Sequence, residues 1–573
     1  MKQKIFNTLK NYGLVIFVII VSIIKIISIL NIPIYAIAPS SIDDRLMINI
    51  GNSLLSKKWL GTYDQFTLVK GMMFPLFLAI SHYIGIPYTV ATICLYIISS
   101  IIFIHMLKNI IKNKYLLGFI FLVLVFNPVT TSINTLSRVY RNCLTPSQVL
   151  LIIGCCMQVY FKINEKTKTK YLWAILGGIS LASFYNTRED SVWIIPFIMF
   201  FIIITIIKIL INKEETKNKL TNVICVFIPC IILIATNTII STLNYKYYGI
   251  YTTNELNDSA FTRAMKNIYA VKNPDNIEYV SVSRKKLEEI YKVSPTMNQL
   301  KDNLDNAIEI YMVADRHPSD NEVEDGWFFW CLRHAVSTAG YYDTAQHAEE
   351  IYNKISDEIE QAFKEGNLEK QNVMPSALMS PWREGHFEKL YNAFAKILYF
   401  VPSYTDVTTE ALESIGDGSD GIALFEELTN NKAIYPNDSY KTIYELNVSS
   451  YIKRLNLITK VYQKTGIPVA IMGVVLYALI IIKAILGIRK KEYKYLQIFL
   501  VLSGILGSFI VLAVGVSYNE IASCPSINYM YLSGAYPLTI SFWTIGVSAF
   551  IEEIISKIKS NKIKGTISDG TKK

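Results

Sequence analysis

Ten apolar blocks, most of them near 20 residues long, dominate this chain. They fall at roughly 13–36, 88–107, 115–127, 147–161, 171–186, 191–211, 220–242, 466–488, 495–516 and 536–556. A block of that length crosses a hydrocarbon core of about 30 Å as a helix, and a helix satisfies its own backbone in lipid. The expected fold is an all-α polytopic membrane protein. The 573 residues are 51% hydrophobic with a mean hydropathy of +0.31, more apolar than soluble domains usually are. The first block is too long for a signal peptide, and no small-x-small cleavage site follows it, so it reads as a retained anchor.

Residues 242–465 lack any spanning run and are charged and rich in Asn and Tyr. They form a second unit, inserted before the last three helices. Segments 284–292, 297–313, 388–399 and 440–463 read as helical. So does AGYYDTAQHAEEIYNKISDEIEQAFKEG, whose Ala348, Ile351, Tyr352 and Ile355 make one apolar face. The organisation is then 1–241, a transmembrane module with a first outer loop at 37–87; 242–465, mainly helical; and 466–573, the C-terminal helices and a basic tail.

The net charge of +10 is uneven. If the run MMFPLFLAISHYIGIP (72–87) dips into one leaflet without crossing, every basic loop falls on one side. The inner segments then hold 25 Lys/Arg against 5 Asp/Glu, as the positive-inside rule requires. Both termini are expected in the cytoplasm of a multi-pass cell-membrane protein, and the 242–465 domain outside. The basic charge is a topological signal, so no nucleic-acid partner is expected. No nucleotide-binding glycine loop occurs, the six histidines show no ligand spacing, and the eight cysteines include no CxxC pair. No nucleotide cofactor is expected; a divalent cation is left open.

That topology gathers four polar features on the outer face: Asp43 and Asp44, the loop NPVTTSINTLSRVYRNCLTPSQ (127–148), TREDS (187–191) and the inserted domain. Met47, Ile50, Leu54 and Leu55 form one face of an amphipathic helix after the aspartates, expected to lie on the membrane with Lys57, Lys58 and Trp59 at headgroup level. A helix cap explains one of the two aspartates; the other reading is a general base on an acceptor hydroxyl. Arg188, Glu189 and Asp190 sit at an outer turn, where a planar guanidinium suits phosphate and carboxylates orient it or bind a cation. Arg138 and Arg141 add two cations. Lys25, mid-span, is expected to face the bundle interior, with a carboxylate as one available partner.

The order and sidedness of these features resemble the GT-C superfamily, membrane glycosyltransferases that use polyprenyl-phosphate sugars, over roughly residues 10–240. KGMMFP (70–75) is similar to that superfamily's K/H-P-P-L-Y-P stretch, with Gly71 and Met72 in place of its prolines. YLSGAYPLTISF (531–542) is similar to an R-Y-L-x-P-x-Y-P-L stretch, with Met530 where arginine would stand. The resemblance implies transfer of a sugar from a polyprenyl-phosphate donor to an extracytoplasmic acceptor (glycan, lipid or protein), with inversion at the anomeric carbon. It implies Asp43 or Asp44 as base, with Asp43 favoured and Asp44 orienting Arg45 or capping the helix. Arg188, Arg138, Arg141 and Lys70 are implied at the donor phosphate, and Glu189 and Asp190 as the second acidic or orienting pair. An envelope polysaccharide ligase or polymerase is the variant within enzymes. A transporter or an assembly scaffold is the non-enzymatic alternative.

Overall fold

The computed structural model describes residues 2–165, 168–212, 216–312, 321–374, 379–417, 421–436 and 441–570. Among them are helices, short turns and isolated bridges but no strand, as an all-helical membrane protein requires. Seven helices are long and apolar enough to cross a membrane: Tyr88–Leu107, Arg141–Lys162, Ser191–Ile211, Lys219–Tyr248, Ser449–Arg489, Lys494–Ala522 and Ala535–Lys559. Each coincides with an expected span. The helix Thr145–Lys162 has nearly every residue covered and stands at the centre, against Tyr88–Leu107 and Thr169–Tyr185.

The other three expected spans are shorter. Helix Lys114–Val125 has 12 residues and Thr169–Tyr185 has 17. The first helix stops at Ile27, where 13–36 had been expected to continue. Beyond it the Ile-Pro-Ile-Tyr run is extended, with bridges Ile34–Ala433, Tyr35–Arg138 and Ile37–Ile415; Pro33 cannot donate to a helix, and β-branched neighbours favour extended backbone. The helix Met73–Tyr83 has 11 residues, about 16 Å of rise, and packs on Asp44–Leu55 and Ala423–Thr429.

The helices expected in the inserted domain appear as Arg284–Val293, Pro295–Gln299 with Lys301–Tyr311, Ala345–Glu365 and His386–Ser403. The last expected segment is the start of Lys441–Arg489; residues 313 and 440 lie outside the described residues. Ala348, Ile351, Tyr352 and Ile355 are buried, as the periodicity required. Both expected domain boundaries, 241/242 and 465/466, fall inside continuous helices, Thr216–Tyr248 and Lys441–Arg489. At the second, Gly466 and Pro468 lie within the helix without ending it; the first of these helices ends only where Gly249 takes φ 79°.

Two cores result. One fills the bundle; the other joins residues of the first loop (Ile34, Met47, Ile50, Phe74) to the inserted domain (Phe261, Leu287, Phe328, Ile355). The amphipathic helix Asp44–Leu55 therefore does not lie on the membrane. Met47 and Ile50 are fully buried because the helix packs on Met73–Tyr83 and Ala423–Thr429. The Trp59 indole donates to Asn244 Oδ1 at 2.8 Å and stacks on Tyr247. Lys25 does face the interior, but it donates to the Thr130 hydroxyl at 3.1 Å and lies over the Phe126 ring instead of meeting a carboxylate.

Candidate functional site

Eight of the charged residues singled out in the sequence (Asp43, Asp44, Lys70, Arg138, Arg141, Arg188, Glu189 and Asp190) meet at the bundle end that carries the inserted domain. Asp43 precedes the first turn of Asp44–Leu55 and makes no capping hydrogen bond. Its Oδ1 accepts instead from Lys70 Nζ at 2.7 Å and from the Tyr140 hydroxyl at 2.8 Å. Asp44, about 100° further round the helix, is fully buried. It takes a two-pronged bond from Arg138, Nε to Oδ1 at 2.8 Å and Nη2 to Oδ2 at 2.6 Å. Asp44 thus neither caps the helix by its side chain nor orients Arg45, whose Nε donates to Asn49; the long-range arginine fork takes both its oxygens.

Arg141 donates to Glu189 Oε1 at 2.7 Å. Arg188 grips Asp190 through Nε and Nη2 (2.7 and 2.6 Å) and donates from Nη1 to Asn142 Oδ1. Asn142 is held in turn by Met530 O at 2.8 Å. The Tyr140 ring lies under both Arg138 and Arg141, with centroids 4.7 and 5.5 Å from the guanidinium carbons, and Tyr531 lies under Arg188 at 5.2 Å. Gly71 and Met530, two of the positions that depart from the compared stretches, make local contacts. A Cβ on Gly71 would sit 2.2 Å from Asn186 O, and its N–H, which proline lacks, donates to Glu189 Oε1. Met530 approaches Arg138 Nη1 through sulfur at 3.6 Å.

Four cations and four carboxylates pair, so the cluster is neutral overall. The pairs differ in how readily they open. Asp190 is about half exposed, with a side-chain accessibility of 54%, whereas Glu189 is at 14% and Asp44 at 0%. Arg188 is therefore the guanidinium most cheaply transferred from its own carboxylate to an incoming anion. Arg141 Nε is buried and donates to nothing among the described residues, a second donor available without breaking a pair. Asp43 keeps one third of its side chain exposed and Oδ2 without a hydrogen bond among the described residues. No group of three His, Cys, Asp or Glu among the described residues has metal-holding geometry. Each site carboxylate is turned to a lysine or arginine, so the donor set does not fit a divalent cation.

Burial opposes the Asp43 charge, but Lys70, Arg141 and the Tyr140 hydroxyl outweigh it and hold its carboxyl well below the ordinary aspartate range. Burial raises Asp44, and the Asp43 charge adds to this, against the pull of Arg138. Glu189 and Asp190 are lowered: burial opposes their charges, and Arg141 and Arg188 respectively prevail. The depressed Asp43 value fixes a pH expectation. Its pairing is complete above the unfolded aspartate value of about 3.9 and is lost only as pH falls through the lower folded value. Any activity that needs ionised Asp43 should therefore show a flat kcat/KM on the acid side from pH 7 down to about 5. An acid limb near pH 6 that moves on Lys70→Met substitution would contradict this.

Three partners escaped the sequence reading. Tyr140 and Asn142 stand between and beside the arginines in SRVYRN, where an aromatic flanked by two cations was the available signal. Trp330 comes from the inserted domain and places its ring 5.5 Å from Lys70 Nζ; nothing local marks it. No family model, curated protein or solved structure matches this chain.

Proposed function

We propose that this protein is a membrane glycosyltransferase. It moves a sugar from a polyprenyl-phosphate donor to an acceptor hydroxyl on the far side of the membrane, with inversion. The carrying observation is Asp43: an ionised carboxylate with one oxygen fixed by Lys70 and Tyr140 and the other open, among guanidinium groups at the mouth of a membrane bundle. The acceptor oxygen attacks the anomeric carbon as the bond from that carbon to the phosphate oxygen breaks. The acceptor proton passes to Asp43 Oδ2 and then to water, and the polyprenyl phosphate leaves with the bonding electrons. The proton moves to Asp43 as the C–O bond forms. Arg188, after exchanging Asp190 for phosphate, and Arg141 Nε meet the charge growing on the leaving group. Asp44 and Arg138 hold the backbone that aims Asp43.

In this reading the bundle crosses ten times, both termini are cytoplasmic and the inserted domain is extracytoplasmic. Sidedness has its own check. In a cysteine-free background, an impermeant thiol reagent added to whole cells should label Asn257→Cys and spare Lys112→Cys; both positions are exposed. Labelling of position 112 would place the site on the wrong face.

Arg188 separates binding from rate. Arg188→Ala should weaken polyprenyl-phosphate binding and lower turnover together, because a phosphate contact exists before the transition state and tightens in it. Arg188→Lys should recover part of the binding, since an ammonium carries the charge without the fork. Binding is read by competition with radiolabelled polyprenyl phosphate. Unchanged binding in the alanine variant would remove Arg188 from the donor site.

A further inference from the structure

We infer that the helix His386–Ser403, within the domain that reads as soluble, is seated in the bilayer interface with one flank in contact with lipid. The helix has three faces. His386, Ala393, Ile397, Phe400 and Val401 are buried, and the last three belong to the core of the transmembrane bundle. It packs on Lys441–Arg489 and Lys494–Ala522, both of which carry candidate spans.

The second face is apolar and uncovered. Phe387, Tyr391 and Leu398 project within about 40° of one another at 100° per residue, with Tyr399 beyond them; Phe387 is 79% and Tyr391 68% exposed. The third face carries Lys389, Asn392 and Lys396, all exposed, within about 60° of one another. A helix in water needs no such middle sector. A helix lying at a membrane surface needs all three, in this order: protein, lipid, headgroup and water.

Depth is fixed at both ends. At the C-terminal end, Pro402 O lies 1.8 Å from where a Cβ on Gly466 would stand, so the helix end rests directly on the backbone of a span. Pro402 and Tyr404 line a cavity of about 140 Å³ with Phe119, Val469 and Trp543, residues of three apolar helices. At the other end Trp382, half exposed, stacks on Tyr518 with centroids 5.9 Å apart, the amphipathic ring expected at a membrane–water boundary. Lys396 can extend along the surface to lipid phosphates, while Lys389 donates to the Glu278 carboxylate of the same domain. The occupant of the flank is therefore the bilayer leaflet on the side of the inserted domain.

The test places nitroxide labels on the full chain, with its eight cysteines replaced, at Tyr391→Cys, Leu398→Cys, Asn392→Cys and Lys396→Cys. The protein is reconstituted in vesicles of phosphatidylcholine and phosphatidylglycerol. Labels at 391 and 398 should collide mainly with oxygen, and those at 392 and 396 mainly with a water-soluble nickel complex. Equal nickel access at all four positions would overturn the inference, placing the flank in water. Shielding of 391 and 398 from both reagents would overturn it too, by showing a protein partner on the flank. If the cysteine-free chain fails to fold, the otherwise unaltered protein serves: the emission lost in Trp382→Phe should be quenched by bromolipids, and absence of quenching contradicts the inference.

Discussion

Asp43→Asn is expected to lower turnover by about 10²-fold or more while donor binding stays near the wild-type value. Asparagine keeps the shape and still accepts hydrogen bonds from Lys70 and Tyr140 through its carbonyl oxygen, but its amide faces the acceptor with donors where a base is needed. The loss should therefore appear in kcat and kcat/KM alike, the pattern of an interaction made only in the transition state. Asp44→Asn should behave differently. It breaks one prong of a buried pair with Arg138, so instability of the protein accompanies whatever activity is lost. The assay is transfer from a radiolabelled polyprenyl-phosphate sugar in membranes, alongside thermal unfolding. Near wild-type turnover by folded Asp43→Asn would end the general-base role.

The largest effect on stability is expected away from the chemistry. Arg333 and Glu255 pair at 2.7 Å with side-chain exposures of 1% and 3%. Arg333 also donates from Nε and Nη2 to Gln65 O at 2.9 and 2.7 Å, and lies over the rings of Phe261 and Tyr342. Glu255 accepts from the Tyr63 hydroxyl, and its backbone N–H donates to Leu68 O. The cluster thus pins the loop 63–70 to the inserted domain, and that loop delivers Lys70 to Asp43. Arg333→Ala leaves Glu255 as a buried charge without its partner, at a cost of about 3–5 kcal/mol. The Arg333→Ala/Glu255→Ala double variant should lose less than the two singles added, since neither charge is orphaned. Chemical unfolding in detergent reads both, and a loss below about 1 kcal/mol for Arg333→Ala would contradict the keystone role.

What the sequence could reveal follows from the range of each interaction. Apolar length marks Tyr88–Leu107 or Lys494–Ala522 directly, because the bilayer imposes it residue by residue. The aspartates, the arginines and TREDS were visible because charges beside apolar blocks are conspicuous. Their pairing was not. Asp43 and Asp44 are adjacent, yet one turns to Lys70, 27 residues on, and the other to Arg138, 94 residues on. Two neighbours on a helix start point apart, and only the folded partners tell them apart. The face of Met47 and Ile50 was legible as apolar, but periodicity cannot say whether lipid or protein covers it. For Asp44–Leu55 the answer is protein.

Whether a lipid phosphate is held beside Asp43 would be seen in a density map of the full-length protein in nanodiscs with undecaprenyl phosphate added as the probe. Phosphate density is expected on the Arg188 guanidinium and near Arg141 Nε, with Asp190 displaced into solvent and Asp43 still on Lys70 and Tyr140. Phosphate density elsewhere on the protein, with the Arg188–Asp190 pair intact at saturating lipid, would contradict it.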